Sequence, residues 1–392
     1  MECSGYRFAG CVAGLKKNGK LDLALVVSEP SAAAAAVFTT NAFAAAPVLY
    51  GRQQLAAATP VSAVLINSGN ANACTGEPGV AHVRQVASAL GDVLSVPAGE
   101  VFVSSTGVIG EPLPVAKVTG ALPRLAGELS AAALPLAAEA ILTTDSLAKM
   151  FAVNLSLSTG TAKIIGMAKG AGMIEPRMAT MLAYLFTDAR VSRTELQEIL
   201  AGVVQRTFNR ISVDGDTSTN DTVLLLANGA SGCSLVDEAD RKAFEHGVFQ
   251  VADYLSRLIV KDGEGATKVV TIVVENASDD TAAEQICRTV GRSLLVKTAF
   301  FGQDANWGRI IAAVGYAGVD LQPERVDIWL DRIQVVAGGR RSPAYQEADG
   351  AKIFHQNSFT ITIDLHAGNG SFSLLTSDLS HEYVSINADY RT

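Results

Sequence analysis

Hydrophobic positions recur along this chain with two periods, and the switches between them mark its elements. The alternating stretch 21–28 (LDLALVVS) follows Asn18-Gly19, a dipeptide suited to tight turns, so 10–15 and 21–28 are predicted to form a hairpin. The alanine run 32–36 fits a helix turn or a packed strand edge. Segment 61–66 predicts a buried strand that enters the polar loop 67–72. Val80, Val83, Val86 and Leu90 then fall on one helical face. Residues 101–104 predict a short strand delivering a turn at Ser105-Thr106-Gly107, with helical stretches following at 115–122 and 131–142.

Period two returns at Phe151. FAVNLSLS, the turn Thr159-Gly160-Thr161 and AKIIGMAK read as a second hairpin. The apolar run 181–186, between Pro176 and Thr187-Asp188, reads as a buried strand. Ser192 and Glu195 have capping-box spacing before a helix to about Phe208. A strand at 223–227 and a helix at 238–259, stopped by Asp262-Gly263, come next. The last third alternates: strand 269–274, helix 281–291, strand 294–299, helix 307–314, then strands at 325–336, 359–365 and 371–375. The tail HEYVSINADYRT has the character of a segment that frays. No repeat or long linker interrupts this order. The mixture predicts α/β or α+β, with strands too antiparallel in character for a pure doubly wound sheet.

Composition narrows the function. With 392 residues the core is not limited by size, and 48% hydrophobic against 18% charged residues suits a well-buried enzyme. A net charge of −8 argues against nucleic acid or an anionic membrane as partner. No run approaches a bilayer-spanning length, and MECSGYRFAG lacks the charged start and apolar core of a secretory signal. Five scattered cysteines without a CxxC pair predict reduced thiols and no zinc site. These points together lead to a cytoplasmic expectation.

The candidate chemistry centres on Thr180, at the mouth of the buried run. Cleavage between Ala179 and Thr180 would give one residue both a hydroxyl nucleophile and a free α-amine. With an ordinary pKa of about 7.7–8.0, that amine can serve as the base. Read on spacing alone, Thr180 simply starts a strand. The five histidines (His82, His246, His355, His366, His381) show no Ser-His-Asp pattern, which disfavours histidine-dependent acyl transfer. Thr106-Gly107 combines a hydroxyl with an unencumbered N–H, a natural oxyanion site, though an ordinary strand-ending turn reads the same way. Lys169 precedes Thr180 by eleven positions, in a glycine-bearing loop where a lysine is usually solvated. Asp214, Asp216 and Asp221 do not have EF-hand spacing, so their loop is expected to be a polar network rather than a cation site. Gly170-Ala171-Gly172 is too short for a dinucleotide fingerprint.

The segment KGAGMIEPRMATML (169–182) resembles the self-cleaving segment of the ornithine acetyltransferases, also called glutamate N-acetyltransferases, of arginine biosynthesis. STGVIG (105–110), TFNRISVDGDTSTNDT (207–222), LVKTAFFGQDANWGRI (295–310) and DLSHEYVSINADYRT (378–392) resemble family segments in the same order, across nearly the whole chain. Ala305 stands where the family commonly has proline and Ser146 where it often has threonine, which bears on local loop geometry only.

The resemblance implies an αββα layered core like that of N-terminal-nucleophile hydrolases, in a different topology. It implies self-cleavage into an α chain (1–179) and a β chain (180–392) that begins with the nucleophile Thr180. It assigns the oxyanion role to Thr106 and Gly107, and substrate contacts to Thr143, Lys169, Glu264, Asn387 and the terminal Thr392. The implied reaction is ping-pong transfer of acetyl from N-acetylornithine to glutamate, without metal or cofactor. Acetyl-CoA as a second donor is left open. The implied assembly is a heterotetramer of two α and two β chains. One alternative is an amidohydrolase or aminopeptidase with the same nucleophile and water as acceptor. Another is a non-enzymatic protein whose Gly- and Asn-rich loops bind an amino acid.

Overall fold

The structure, a computed structural model, describes residues 1–175 and 181–389. Ala179, Thr180 and Thr392, three of the residues singled out above, lie outside the described residues. The chain divides into two compact units. The first comprises 1–209 and 216–259. The second comprises 210–215 and 260–389.

In chain order the strands are β1 (Tyr6–Cys11), β2 (Leu23–Phe38), β3 (Val61–Asn70), β4 (Val101–Val108), β5 (Lys149–Leu157), β6 (Gly160–Lys169), β7 (Leu182–Thr187), β8 (Ile211–Ser212) and β9 (Thr222–Ala227). They continue with β10 (Val269–Ala277), β11 (Asp327–Leu330), β12 (Ile333–Ala337), β13 (Arg340–Arg341), β14 (Ser358–Asp364) and β15 (Gly370–Ser377). The helices are α1 (Ala46–Ala56), α2 (Gly76–Leu94), α3 (Val115–Gly127), α4 (Leu134–Ala140), α5 (Arg193–Arg206) and α6 (Glu238–Lys261), then α7 (Asp280–Arg292), α8 (Leu294–Phe301), α9 (Trp307–Gly315), α10 (Glu347–Phe354) and α11 (His381–Asp389).

The first unit is built on one eight-stranded sheet that folds back on itself. Its order is β4-β3-β2-β9-β7-β6-β5, with β1 also on β2. Strand β2 makes this possible because its two ends serve different halves. Residues 23–28 pair with β1 and β3, the register shifts between Val27 and Ala32, and 33–38 pair with β9. The halves then meet face to face: Phe186 of β7 lies 5.3 Å from the ring of Tyr6 and 5.5 Å from that of Phe8 in β1. Their shared core joins Val26, Val64 and Ile66 to Ile165, Met167, Tyr184 and Leu224. Helices cover the outer faces. Val83, Val86 and Leu90 of α2 and Val118, Leu122 and Leu125 of α3 pack on Leu23, Leu25, Leu65 and Val103. At the opposite face α6 comes so close to β6 that a Cβ at Gly166 would lie 2.6 Å from Val251 and 2.9 Å from Leu255. This is the expected αββα layering.

The second unit carries a seven-stranded mixed sheet, β13-β12-β11-β14-β10-β15-β8. Its core joins Val270, Ile272 and Val274 of β10 to Ile286 and Val290 of α7 and to Ile361 and Ile363 of β14.

Two expectations need correction, and one open choice is decided. The alanine run 32–36 is strand rather than a helix turn: Ala32 pairs with Val61 and 33–36 with β9, while the Gln197 side-chain amide accepts the Ala36 N–H at 3.1 Å and donates to the Ala36 carbonyl at 3.2 Å, as on a packed strand edge. Small side chains suit that position, since the opposing half of the sheet presses on it. The segment 294–299 is helix α8, not strand. Its run LLVKTAFF is apolar without a diagnostic period, and Ser293 caps the helix by accepting from the Val296 N–H at 3.4 Å. The tail through Asp389 is helix α11, docked by Ser380 donating to the Gly265 carbonyl at 2.7 Å. Helices α1 and α10 were not anticipated.

Candidate active site

The site in the first unit grows from the ends of two parallel strands. Strands β3 and β4 pair from Ala63 with Val101 to Gly69 with Gly107, and the register then slips, so that Asn70 faces both Thr106 and Val108. Thr106-Gly107 is therefore not the expected turn, because β3 extends far enough to give it a partner. The slip is a bulge, which re-aims a strand end next to a site. Gly107 is required there on two counts. Its φ is +130°, and an added Cβ would lie 2.4 Å from the Gly69 carbonyl carbon.

Lys169, the last residue of β6, reaches this strand end. It is buried rather than in a solvated loop, and its place in the β6/β7 ladder, opposite Leu182, fixes where its side chain starts. Its Nζ donates to Thr143 Oγ1 at 2.8 Å and to Thr106 Oγ1 at 3.3 Å. By accepting from the ammonium, Thr106 keeps its own hydroxyl hydrogen for another acceptor. Thr143 is held in turn by Asp145, whose Oδ2 accepts the Thr143 N–H at 3.0 Å. Asp145 Oδ1 accepts from Lys149 Nζ at 2.7 Å and from the Gly170 N–H at 2.6 Å. Burial pushes the Asp145 carboxyl up, but Lys169, Lys149 and these hydrogen bonds outweigh it and hold the group down at about 2. Lys16 senses the same charges. Its ammonium is pushed down to about 8, chiefly by burial, and repulsion from Lys169 adds to the effect.

Buried amides fix the strand ends. Asn67 Oδ1 accepts from Ser105 Oγ at 2.6 Å, and Asn67 Nδ2 donates to the Asn70 carbonyl at 2.8 Å. Asn220 Nδ2 bridges the carbonyls of Ala71 and Ser105 at 2.7 and 2.8 Å. The loop 214–221 thus supplies the expected polar network. Its last member, Asp221, is buried, and its Oδ2 has no hydrogen-bond partner among the described residues. Burial holds that carboxyl well above the usual range, against the weaker pull of the Met181 N–H and Lys169.

Glu264 and Asn387 belong to the second unit, where the structure brings them together: Asn387 Nδ2 donates to Glu264 Oε2 at 2.6 Å. Glu264 is buried and follows the end of α6. Sequence reasoning missed Asp145, Lys149 and Asn67 as site-building residues. The signal available was charge and amide groups inside otherwise apolar or glycine-rich stretches, at Thr143-Thr144-Asp145 and Asn67–Asn72. The cysteines Cys3, Cys11, Cys74, Cys233 and Cys287 are all free thiols. Among the described residues no three His, Cys, Asp or Glu side chains could hold a metal ion, and no helix is long and apolar enough to cross a membrane.

Comparison with known proteins places the chain in a family. Residues 7–392 match the ArgJ family model. The chain is 47% identical over 399 residues to the arginine biosynthesis bifunctional protein ArgJ of Geobacter sulfurreducens, covering 100% of both chains. It is 46% identical over 388 residues to the protein of that name from Nitratidesulfovibrio vulgaris, covering 99% of this chain and 98% of the relative. A crystal structure of the ArgJ protein of Bacillus halodurans is similar with a TM-score of 0.50 and 36% identity, over 53% of this chain and 98% of that one. With a match across essentially its whole length, the chain belongs to the ArgJ family.

Proposed function

We propose that this protein is a glutamate N-acetyltransferase of arginine biosynthesis. It moves acetyl from N2-acetylornithine to glutamate through an acetyl ester on Thr180, after self-cleavage between Ala179 and Thr180. The observation that carries this reading is the convergence of Lys169, Thr143 and Thr106 beside the bulged backbone of Gly107.

Cleavage follows attack of the Thr180 hydroxyl on the Ala179 carbonyl, an N-to-O acyl shift, and hydrolysis of the ester by water. The chains 1–179 and 180–392 then stay together, because β7 pairs along its length with β6 of the first chain, and β9 of the second pairs with β2 of the first. The solved Bacillus halodurans chain is nearly all covered by about half of this one, which accords with a two-chain protein. In the mature enzyme the freed amine of Thr180 takes the hydroxyl proton as acetylornithine is attacked. The Thr106 hydroxyl and Gly107 N–H stabilise the tetrahedral oxyanion, and ornithine leaves. Glutamate accepts the acetyl group in the second half-reaction. Lys169 and Thr143 hold substrate polar groups, while Glu264, with Asn387, receives the ornithine ammonium. Ala179, Thr180 and the terminal Thr392 keep their assigned roles, as cleavage site and as a C-terminal substrate contact. The processed chains assemble as two α and two β. Acetyl-CoA is a candidate second donor, in keeping with relatives named as bifunctional.

The test is an intact mass spectrum of the wild type and of Thr180→Ala, with an assay of acetylglutamate from acetylornithine plus glutamate. Two wild-type fragments meeting between Ala179 and Thr180, a single mutant chain, and glutamate-dependent loss of acetylornithine are expected. Loss at the same rate without glutamate would replace the transferase with an amidohydrolase. Omitting acetylornithine and adding acetyl-CoA decides the second donor.

A further inference from the structure

Asp221 occupies a position that the proposed reaction leaves unused. Strands β7 and β9 run parallel, Leu182 opposite Thr222, and the Thr222 N–H donates to the Met181 carbonyl at 3.1 Å. Asp221 therefore stands beside Met181 at the point where β7 begins. Its backbone is fixed, since its carbonyl accepts the Thr39 N–H at 3.0 Å. Its carboxyl accepts the Met181 N–H, and Oδ2 is buried with no partner among the described residues. An orphaned carboxyl oxygen in the interior is costly, so its retention calls for a reason. The residue joined covalently to the Met181 nitrogen is Thr180.

We propose that the Asp221 carboxyl is the proton-transfer group for the chain scission at Ala179–Thr180. The acyl shift forms a bond from Thr180 Oγ to the Ala179 carbonyl carbon and breaks the bond from that carbon to the Thr180 nitrogen. The nitrogen keeps the bond pair and must gain a proton to leave, while the hydroxyl must lose one. A neutral carboxylic acid does both: Oδ2–H protonates the departing nitrogen, and the carboxylate takes the hydroxyl proton, so the acid is restored. Burial keeps the group in the neutral form that this exchange requires. The inference rests on Thr180 being the self-cleaving residue.

Asp221→Asn keeps the shape and an acceptor for the Met181 N–H but has no transferable proton. The uncleaved fraction of the full-length chain is followed by intact mass spectrometry after expression, with thermal unfolding as a check on folding. Wild type is expected to cleave, and Asp221→Asn to fold but cleave about 100-fold more slowly or not at all. Asp221→Ala, which leaves room for a small acid, is expected to regain cleavage with added formate in a saturable way. Cleavage of Asp221→Asn at the wild-type rate, or Asp221→Ala cleaving at a rate indifferent to formate, overturns the inference while leaving Thr180 in place. A wild type that never cleaves removes both.

Discussion

Lys149 Nζ lies 2.7 Å from Asp145 Oδ1, and neither side chain has any exposure to solvent. A pair this deep is fixed by its hydrogen bonds, and removing Lys149 leaves the buried Asp145 charge to Lys169 and the Thr143 and Gly170 N–H groups alone. Lys149→Met is expected to lower unfolding free energy by about 3 kcal/mol, read from urea denaturation. The loss should exceed that of Arg7→Ala, because the Arg7–Glu29 pair is exposed on both sides.

Asp145 also sets a limit in acid. Its folded pKa of about 2 lies below the ordinary 3.8, so the folded state favours the ionised form. The stability it contributes is complete above about pH 4 and is lost as pH falls from there to about 2. Asp145→Asn should flatten the stability profile in that window, measured by thermal unfolding against pH. An unchanged slope would show that Asp145 has no depressed pKa.

Gly107 is where backbone and chemistry coincide. An alanine there must adopt a positive φ and displace the Gly69 carbonyl carbon, which is backbone and cannot swing aside. Gly107→Ala should therefore cost about 2 kcal/mol or more in stability and open the β3/β4 bulge. Transferase activity should fall further than stability alone explains. Thr106→Val keeps shape but removes the hydroxyl, and should lower kcat about 100-fold with little effect on the unfolding temperature.

How far the sequence foretold this site depended on whether local rules or tertiary contacts decide each part. Period-two stretches gave the hairpin of β5 and β6, the continuous apolar run 181–186 gave the strand β7, and Ser192 with Glu195 marked the start of α5, where the Ser192 side chain accepts the Glu195 N–H. Thr106-Gly107 was legible as an oxyanion candidate but not as strand, because only the extended partner β3 keeps it in the sheet. Lys169 sits next to three small residues and reads as solvated; pairing with Leu182 buries it. Asp145 and Lys149 drew no reading from the sequence, since nothing local announces that a fold will surround them, whereas Asp221 was legible as part of a polar loop but not as a buried carboxyl. The alanines at 32–36 left helix turn and strand edge open for a similar reason: the strand that decides between them, β9, lies far away in sequence.

Asn220 ties together the two strand ends that shape the site, because one amide nitrogen serves the carbonyls of both Ala71 and Ser105. Asn220→Ala leaves two buried carbonyls without that donor and should cost about 2–3 kcal/mol. Asn220→Asp is the sharper test. It is nearly isosteric, yet an ionised carboxylate would face two carbonyl oxygens with nothing to donate. It should therefore be the less stable of the two variants at pH 8 and recover ground as the pH is lowered toward 5, where protonation restores a donor. Equal stability of the two variants across that range would mean that the amide fills space rather than bridging the strands.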